Sequence, residues 1–232
     1  MGKFARFVQA LPLGAVMMAA VCSTSAAEPS FGTFTDTRDG QTYKTVKIGG
    51  KRWMAENLNY QADSSWCYGN ADSNCVKYGR LYDWDAAITA CPAGYHLPSR
   101  SEWDGLGNAV GGKRRDYKGL STDWFGAGKV LKAKRSWNDH NGKSSNGTDN
   151  FGFSALPGGY RDNNGDFSGA GGYGHWWTAR IFDHDDKGSV WLIDCTGSRG
   201  LSGCGVMTLY YGDANAQEWA GSFSIRCVAD RP

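Results

Sequence analysis

The sequence predicts an α+β domain built around antiparallel sheet, and three observations lead there. The helix-forming stretches, Tyr82–Ala90 and Arg100–Val110, come early and the strand-forming stretches come late, with no βαβ alternation. Glycine (33 residues) and aromatic residues (13%) are abundant while long apolar runs are few, the pattern of short strands joined by structured loops. Six of the 7 cysteines lie beyond residue 27, a set suited to stapling a loop-rich chain. No internal repeat or linker marks a second domain, so residues 28–232 read as one unit.

Residues 1–27 read as an export signal. Lys3 and Arg6 form a basic start, Phe7–Val21 is apolar, and Ser25-Ala26-Ala27 is a small-residue cleavage site. The apolar run is short for a membrane span and contains Gln9 and Pro12. Cys22 offers lipid attachment as a competing outcome, although Val21 stands where such signals carry a small residue. Removing this segment takes Lys3 and Arg6 from the 25 basic residues and leaves 23 against 23 acidic ones. A zero balance lacks the sustained positive field that nucleic acid or an anionic membrane surface requires. The run Lys113-Arg114-Arg115 then reads as a solvated loop.

Taken in order, residues 28–34 are expected to be a flexible lead-in, and residues 36–60 a β-hairpin. Asp39-Gly40 is a turn, Thr42–Ile48 alternates with β-branched residues, Gly49-Gly50 turns again, and Arg52-Trp53-Met54 returns. Residues 63–78 form a polar loop that needs a staple because it has little to bury. Tyr82–Ala90 carries Trp84, Ala87 and Ile88 at helical spacing. The organising stretch follows: C-P-A-G-Y-H-L-P-S-R-S-E-W, Cys91–Trp103, reads as disulfide anchor, turn, buried strand and capped helix. In it Ser99 and Glu102 have the spacing of a capping box, and Gly111-Gly112 ends the helix. Residues 117–150 are expected to be ordered loops apart from Lys129-Val130-Leu131. Phe151–Leu156 reads as a strand, and Asn163-Asn164-Gly165 as a hairpin turn. Four short strands follow: His175–Ala179, Val190–Cys195, Val206–Tyr211 and Phe223–Val228.

Six cysteines allow many pairings, and sequence alone does not choose among them. Nested pairs are the economical arrangement: Cys67–Cys75, Cys195–Cys204 and the long closure Cys91–Cys227. Without a C-x-x-C pair, metal ligation by these residues is the weaker use.

Five blocks in order now carry a resemblance. They are D-T-R-D-G-Q-T-Y-K-T-V-K-I-G-G-K-R-W-M-A-E-N-L-N-Y (Asp36–Tyr60), Y-G-R-L-Y-D-W (Tyr78–Trp84), the Cys91–Trp103 block, F-G-F-S-A-L-P-G-G-Y-R (Phe151–Arg161) and F-S-I-R-C-V (Phe223–Val228). Together they resemble the Fibrobacter succinogenes major paralogous domain over nearly all of the chain beyond residue 27. That family is similar in turn to C-type-lectin-like and sulfatase-modifying-factor domains, whose H/R-L-P-[ST]-x-x-E-W block matches His96–Trp103. The resemblance implies a C-type-lectin-like fold, two helices packed on small twisted antiparallel sheets with neighbouring termini, a closure that a Cys91–Cys227 bond suits. It also implies exported bacterial surface proteins, with binding to carbohydrate or the cell surface as the usual role.

An enzyme of the sulfatase-modifying type would need a reactive cysteine pair and copper. The close C-x4-C arrangement of those enzymes is absent, and a structural disulfide is the simpler use of each cysteine here. Neither G-x-S-x-G nor H-E-x-x-H occurs. Asp183, Asp185, Asp186 and Asp194 offer carboxylates for glycoside hydrolysis but read more simply as a solvated acidic loop, and Glu102 reads as a helix cap. Asp162, Asn164 and Asp166 alternate around Gly165 as calcium ligands do, although the same residues make a type I′ turn.

The late aromatic set points to sugar. His175, Trp176, Trp177, Trp191, Tyr210, Tyr211 and Trp219 lie on or beside strands. Sugar C–H faces pack on such rings while their hydroxyls need amide and carboxylate partners. Trp176 and Trp177 must point to opposite faces of their strand, so one of them belongs to the core. The expected function is therefore an exported, non-catalytic module binding glycan, such as plant cell-wall polysaccharide. Its rings would be helped by hydrogen bonds from Asp183, Asp185, Asp186, Asn215 and Gln217. A protein-binding adhesin of the same fold is the alternative, and a carbohydrate-active enzyme the third reading.

Overall fold

The computed structural model describes residues 2, 29–117, 121–179, 189–194, 206–210 and 221–231. Three consecutive antiparallel strands come first: β1 (Ser30–Thr35), β2 (Thr42–Ile48) and β3 (Lys51–Met54). In β2 the burial pattern departs from the alternation read from sequence: the neighbours Thr45 and Val46 are both inside, as are Tyr43 and Ile48, because both faces of the strand are covered over that stretch, while Lys44 and Lys47 are exposed. Gly49 (φ 60°) and Gly50 (φ 80°) take the left-handed conformations that a two-residue hairpin turn demands. The expected lead-in over residues 28–34 is corrected: from Ser30 it is a strand paired along the edge of β2.

Next come β4 (Ser65–Trp66), a 3-10 turn (Tyr68–Asn70), α1 (Asp72–Tyr78), β5 (Leu81–Tyr82), α2 (Trp84–Ala90), β6 (Tyr95–His96) and α3 (Arg100–Ala109). The polar loop expected over residues 63–78 is thus a strand, turn and short helix, pinned by the Cys67–Cys75 disulfide. Asp83 caps α2 by accepting from the Ala86 amide at 2.9 Å. The capping box of α3 is present in both directions, with Ser99 accepting from the Glu102 amide and Glu102 accepting from the Ser99 amide.

The remaining elements are β7 (Lys113–Tyr117), β8 (Ser121–Phe125), α4 (Ala127–Leu131), β9 (Tyr160–Arg161), β10 (Phe167–Ser168), β11 (Tyr173–Thr178), β12 (Ser189–Asp194), β13 (Val206–Tyr210) and β14 (Val228–Ala229). Lys113-Arg114-Arg115 is therefore an edge strand rather than a loop, and its charges blunt that edge against further pairing. Phe151–Leu156 is not a strand. It is irregular chain with one bridge, Lys132 to Ala155, and it inserts Phe153 and Ala155 into the core. The turn after Arg161 is also corrected. Of Asn163, Asn164 and Gly165, only Gly165 has a positive φ (93°), and the Gly165 amide donates to the Asp162 carbonyl. That is a three-residue loop, not the type I′ turn.

Two five-stranded antiparallel sheets result, ordered β1-β2-β3-β14-β6 and β11-β12-β13-β8-β7, with the two-stranded pairs β4-β5 and β9-β10 beside them. The architecture is α+β as expected. The segment Phe223–Cys227, expected as a strand, instead exchanges partners every residue or two. Phe223 bonds to Tyr82, Ser224 to His175 and Trp177, Ile225 to Leu58, and Cys227 to Met54. It laces the two sheets together, and the Cys91–Cys227 disulfide locks that lacing across 136 residues. Cys195 and Cys204 lie outside the described residues, as does the export segment with Cys22.

The core falls into two clusters on either side of β11. One gathers Trp53, Trp103, Trp124, Phe153 and Trp176, and the other Leu58, Tyr82, Trp177, Phe223 and Ile225. Each such aromatic removes roughly 150–250 Å² from water, so these rings dominate the stabilisation.

Candidate ligand-binding surface

Trp176 and Trp177 were both candidates for ring stacking on a ligand, and both are corrected. They are 0% and 1% exposed, because β11 is covered on both faces, one tryptophan entering each core cluster. Their indole N–H groups are satisfied internally, Trp176 donating to Asn57 Oδ1 at 2.9 Å and Trp177 to the Tyr82 carbonyl at 2.7 Å. Trp191 and Tyr210 are placed in β12 and β13, with Trp191 paired in register with Trp176. Asp183, Asp185, Asp186, Tyr211, Asn215, Gln217 and Trp219 lie outside the described residues.

A different aromatic surface is present. Trp66, Tyr68, Tyr160, Phe167 and Tyr173 are each half-buried. The Arg161 guanidinium lies 4.3 Å from the Trp66 ring centre and 5.9 Å from that of Phe167, its cross-strand partner in β9-β10. Phe167 meets Tyr68 edge-on at 5.5 Å. Tyr160 and Tyr173 flank the His175 ring at 5.2 and 5.7 Å. The rings lie on bare backbone. A Cβ on Gly159 would come within 2.9 Å of Tyr68 and one on Gly169 within 2.5 Å of Tyr173.

Local sequence explains how the surface is assembled. Trp66 pairs with Leu81 and precedes Cys67, so pairing and disulfide together fix it. Arg80 donates to the Ser65 hydroxyl and carbonyl and reaches both sulfurs of that disulfide at 3.6 Å, bracing the strap from below. Arg161 exchanges backbone hydrogen bonds with Ser222, close to where the described chain resumes after residue 220. Sequence reasoning missed these residues because Trp66 and Arg161 meet only through the disulfide strap. The hairpin itself was readable, but the type I′ turn read there would set a different register, and the Arg161–Phe167 pairing follows from the three-residue loop.

A second feature is a cleft of about 740 Å³ between the β2–β3 turn and the start of α3, lined by Gly49, Lys51, His96, Ser99, Ser101 and Glu102 among others. Its charges form a chain from Lys51 through Glu102 and His96 to Asp230. His96 Nε2 lies 2.9 Å from Glu102, His96 Nδ1 lies 2.7 Å from Asp230, and Lys51 Nζ lies 3.0 Å from Glu102. Burial raises the Glu102 pKa, but hydrogen bonds from the Ser99 amide, Lys51, His96 and the Ser99 hydroxyl outweigh it and hold the carboxyl at about 2. Burial alone would lower the His96 pKa, and its bonds to Asp230 and Glu102 raise it instead. Glu102 is thus held ionised and both His96 nitrogens are engaged, so these side chains form a clasp across the cleft.

Of the calcium candidates, Asp162 is engaged in the turn, while Asn164 and Asp166 are exposed. Asp162 Oδ1 accepts from the Asn164 and Asp166 amides at 2.9 and 2.8 Å, so that oxygen serves the turn itself. Among the described residues no group of three or more His, Cys, Asp or Glu side chains could hold a metal ion, and no helix is long and apolar enough to cross a membrane.

No curated protein and no solved structure matches the chain. A family model does, over residues 46–229, a span that takes in the Lys51–Glu102 cleft, both described disulfides and the whole aromatic surface. By that match the chain belongs to the family of the Fibrobacter succinogenes major domain.

Proposed function

We propose that this chain is an exported, non-catalytic binding module of C-type-lectin-like architecture that recognises glycan at the cell surface or in the medium. The observation that carries the reading is a set of half-buried rings: Trp66 and Phe167 against Arg161, Tyr68 edge-on to Phe167, and Tyr160 and Tyr173 beside His175. Half-buried rings offer the C–H packing that sugars use, while the guanidinium supplies donors for hydroxyl or carboxylate oxygens. The pairing of Glu102 with both Lys51 and His96, and of His96 with Asp230, leaves these groups matched to one another and supports binding without chemistry. Export is supported by the signal-like residues 1–27 and by two disulfides, which persist in oxidising compartments. The lectin-like assignment is supported by α2 and α3 beside small antiparallel sheets and by the bond from chain middle to chain tail.

The test is a glycan array and a pull-down on insoluble polysaccharides, using the full chain and a Trp66→Ala, Phe167→Ala double variant. Saturable sugar binding that the variant loses supports the proposal. Binding to proteins alone favours the adhesin, and turnover of a polysaccharide favours an enzyme.

A further inference from the structure

Arg161 differs from the other partly or fully buried arginines. Arg38 grips Asp36 at 2.7 Å, Arg80 holds Ser65, and Arg226 is surrounded by oxygens. Among the described residues no hydrogen bond or ion pair engages the Arg161 guanidinium, although its side chain is half-buried. Asp162, its neighbour in sequence, turns Oδ1 to the loop amides instead. The head is nonetheless fixed in place. It lies against the Trp66 and Phe167 rings, and its Nη2 would be 2.8 Å from a Cβ on Gly165, so it rests on the bare turn. Backbone bonds to Ser222 in both directions hold the strand beneath.

A guanidinium held by ring contacts keeps its planar fork of N–H donors available, and that fork matches a carboxylate in two-point geometry. Leaving such donors partly desolvated and unmatched is unfavourable, and a ligand carboxylate relieves it. The surrounding rings would meanwhile pack on the C–H face of the sugar that bears this carboxylate.

Building on the glycan reading above, we propose that the Arg161 site selects glycans containing uronic acid, with the guanidinium pairing to the sugar carboxylate and the Trp66–Phe167–Tyr68 rings packing on the pyranose ring. The partner is a polyuronate rather than a neutral glucan.

Titration calorimetry of the full chain with an oligouronate, its fully methyl-esterified form and a neutral gluco-oligosaccharide of equal length tests this. The expected result is at least tenfold tighter binding of the free acid than of either neutral ligand at low salt, narrowing as salt rises. Arg161→Gln should remove that preference while leaving the thermal transition unchanged, and Arg161→Lys should restore part of it as a point charge without the fork. Equal affinity for acid, ester and glucan would overturn the uronate proposal and leave the glycan reading standing, as would an Arg161→Gln variant with an unaltered preference. Absence of binding to all three, together with an empty glycan array, would overturn both.

Discussion

Asn57 and Arg226, separated by 169 residues, are joined through a single carbonyl oxygen: Asn57 Oδ1 accepts from Arg226 Nε at 3.1 Å and from Nη2 at 2.7 Å. The same oxygen accepts from Trp176 Nε1, while Asn57 Nδ2 donates to the Tyr78 carbonyl at 2.7 Å. The guanidinium is completed by the Met54, Phe153 and Ser154 carbonyls and lies over the Phe153 ring. Among the described residues no carboxylate forms an ion pair with it, and burial lowers its pKa to about 9, so at neutral pH it remains a cation solvated by neutral dipoles. Four parts of the chain, the turn after β3, the irregular 151–156 segment, β11 and the C-terminal lacing, thus share one polar node.

Asn57→Ala removes the acceptor that two Arg226 donors and an indole N–H share. Hydrogen bonds to charged groups contribute about 1.5–3 kcal/mol each, and orphaned buried donors add to the loss. The expected destabilisation is about 3 kcal/mol or more in urea denaturation. A change below about 1 kcal/mol would show that the node reorganises or admits water.

The two disulfides should separate stability from function. In the chain-entropy description the Cys91–Cys227 loop contributes about 5 kcal/mol and the Cys67–Cys75 loop about 2.5 kcal/mol. A Cys91→Ala, Cys227→Ala chain should therefore lose most of its folding stability. A Cys67→Ala, Cys75→Ala chain should stay folded but bind glycan more weakly, because the strap that carries Trp66 and Tyr68 is released. Unchanged binding by the second variant would remove those two rings from the site.

What the sequence made legible was local. The Ser99–Glu102 cap and the Gly49-Gly50 turn follow from residues within a few positions of each other, and both are present. Pairing Cys91 with Cys227 and Cys67 with Cys75 also followed, from nesting and from the resemblance. The failures came from tertiary context. Phe151–Leu156 has a strand-like composition, yet Phe153 and Ser154 turn their carbonyls to Arg226 instead of to a neighbouring strand. Alternation places Trp176 and Trp177 on opposite faces of β11 and leaves one of them for the ligand, yet each face is covered by its own core cluster. The aromatic surface was hidden because Trp66 and Arg161 come together only through a disulfide strap and a hairpin.

Glu102 gives a pH signature. Its folded pKa, about 2, lies below the ordinary carboxylate value of 4.5, so the unfolded chain takes up the proton first on acidification. Its contribution is therefore complete above pH 4.5 and declines as pH falls toward 2. His96 runs in the opposite sense: its pKa is raised above 6.5, so its contribution is complete below that value and fades as pH rises through the raised one. Glu102→Gln keeps an oxygen for the Ser99 amide but removes the charge, and should cost about 1 kcal/mol at pH 6, given the partial exposure of the clasp. Melting temperatures measured from pH 2 to 9 should show the difference between the two chains shrinking at both ends, and a difference independent of pH would contradict the assignment.

His175 predicts the larger acid sensitivity. Its ring is enclosed by Tyr160, Tyr173 and Phe223, its Nδ1 has no hydrogen-bond partner, and no carboxylate or cation of the described residues faces it. Burial alone lowers its pKa from 6.5 to about 3. Between those values the unfolded chain binds a proton that the folded chain refuses, so stability falls as pH drops from 6.5 toward 3, by several kcal/mol at about 1.4 kcal/mol per pH unit. His175→Phe preserves the ring and removes both the titration and the orphaned nitrogen. Its denaturation midpoint should match or exceed that of the parent at pH 7 and stay higher as pH falls to 4. If the two chains lose stability in parallel over that range, the acid sensitivity arises elsewhere and His175 is not buried as a neutral ring.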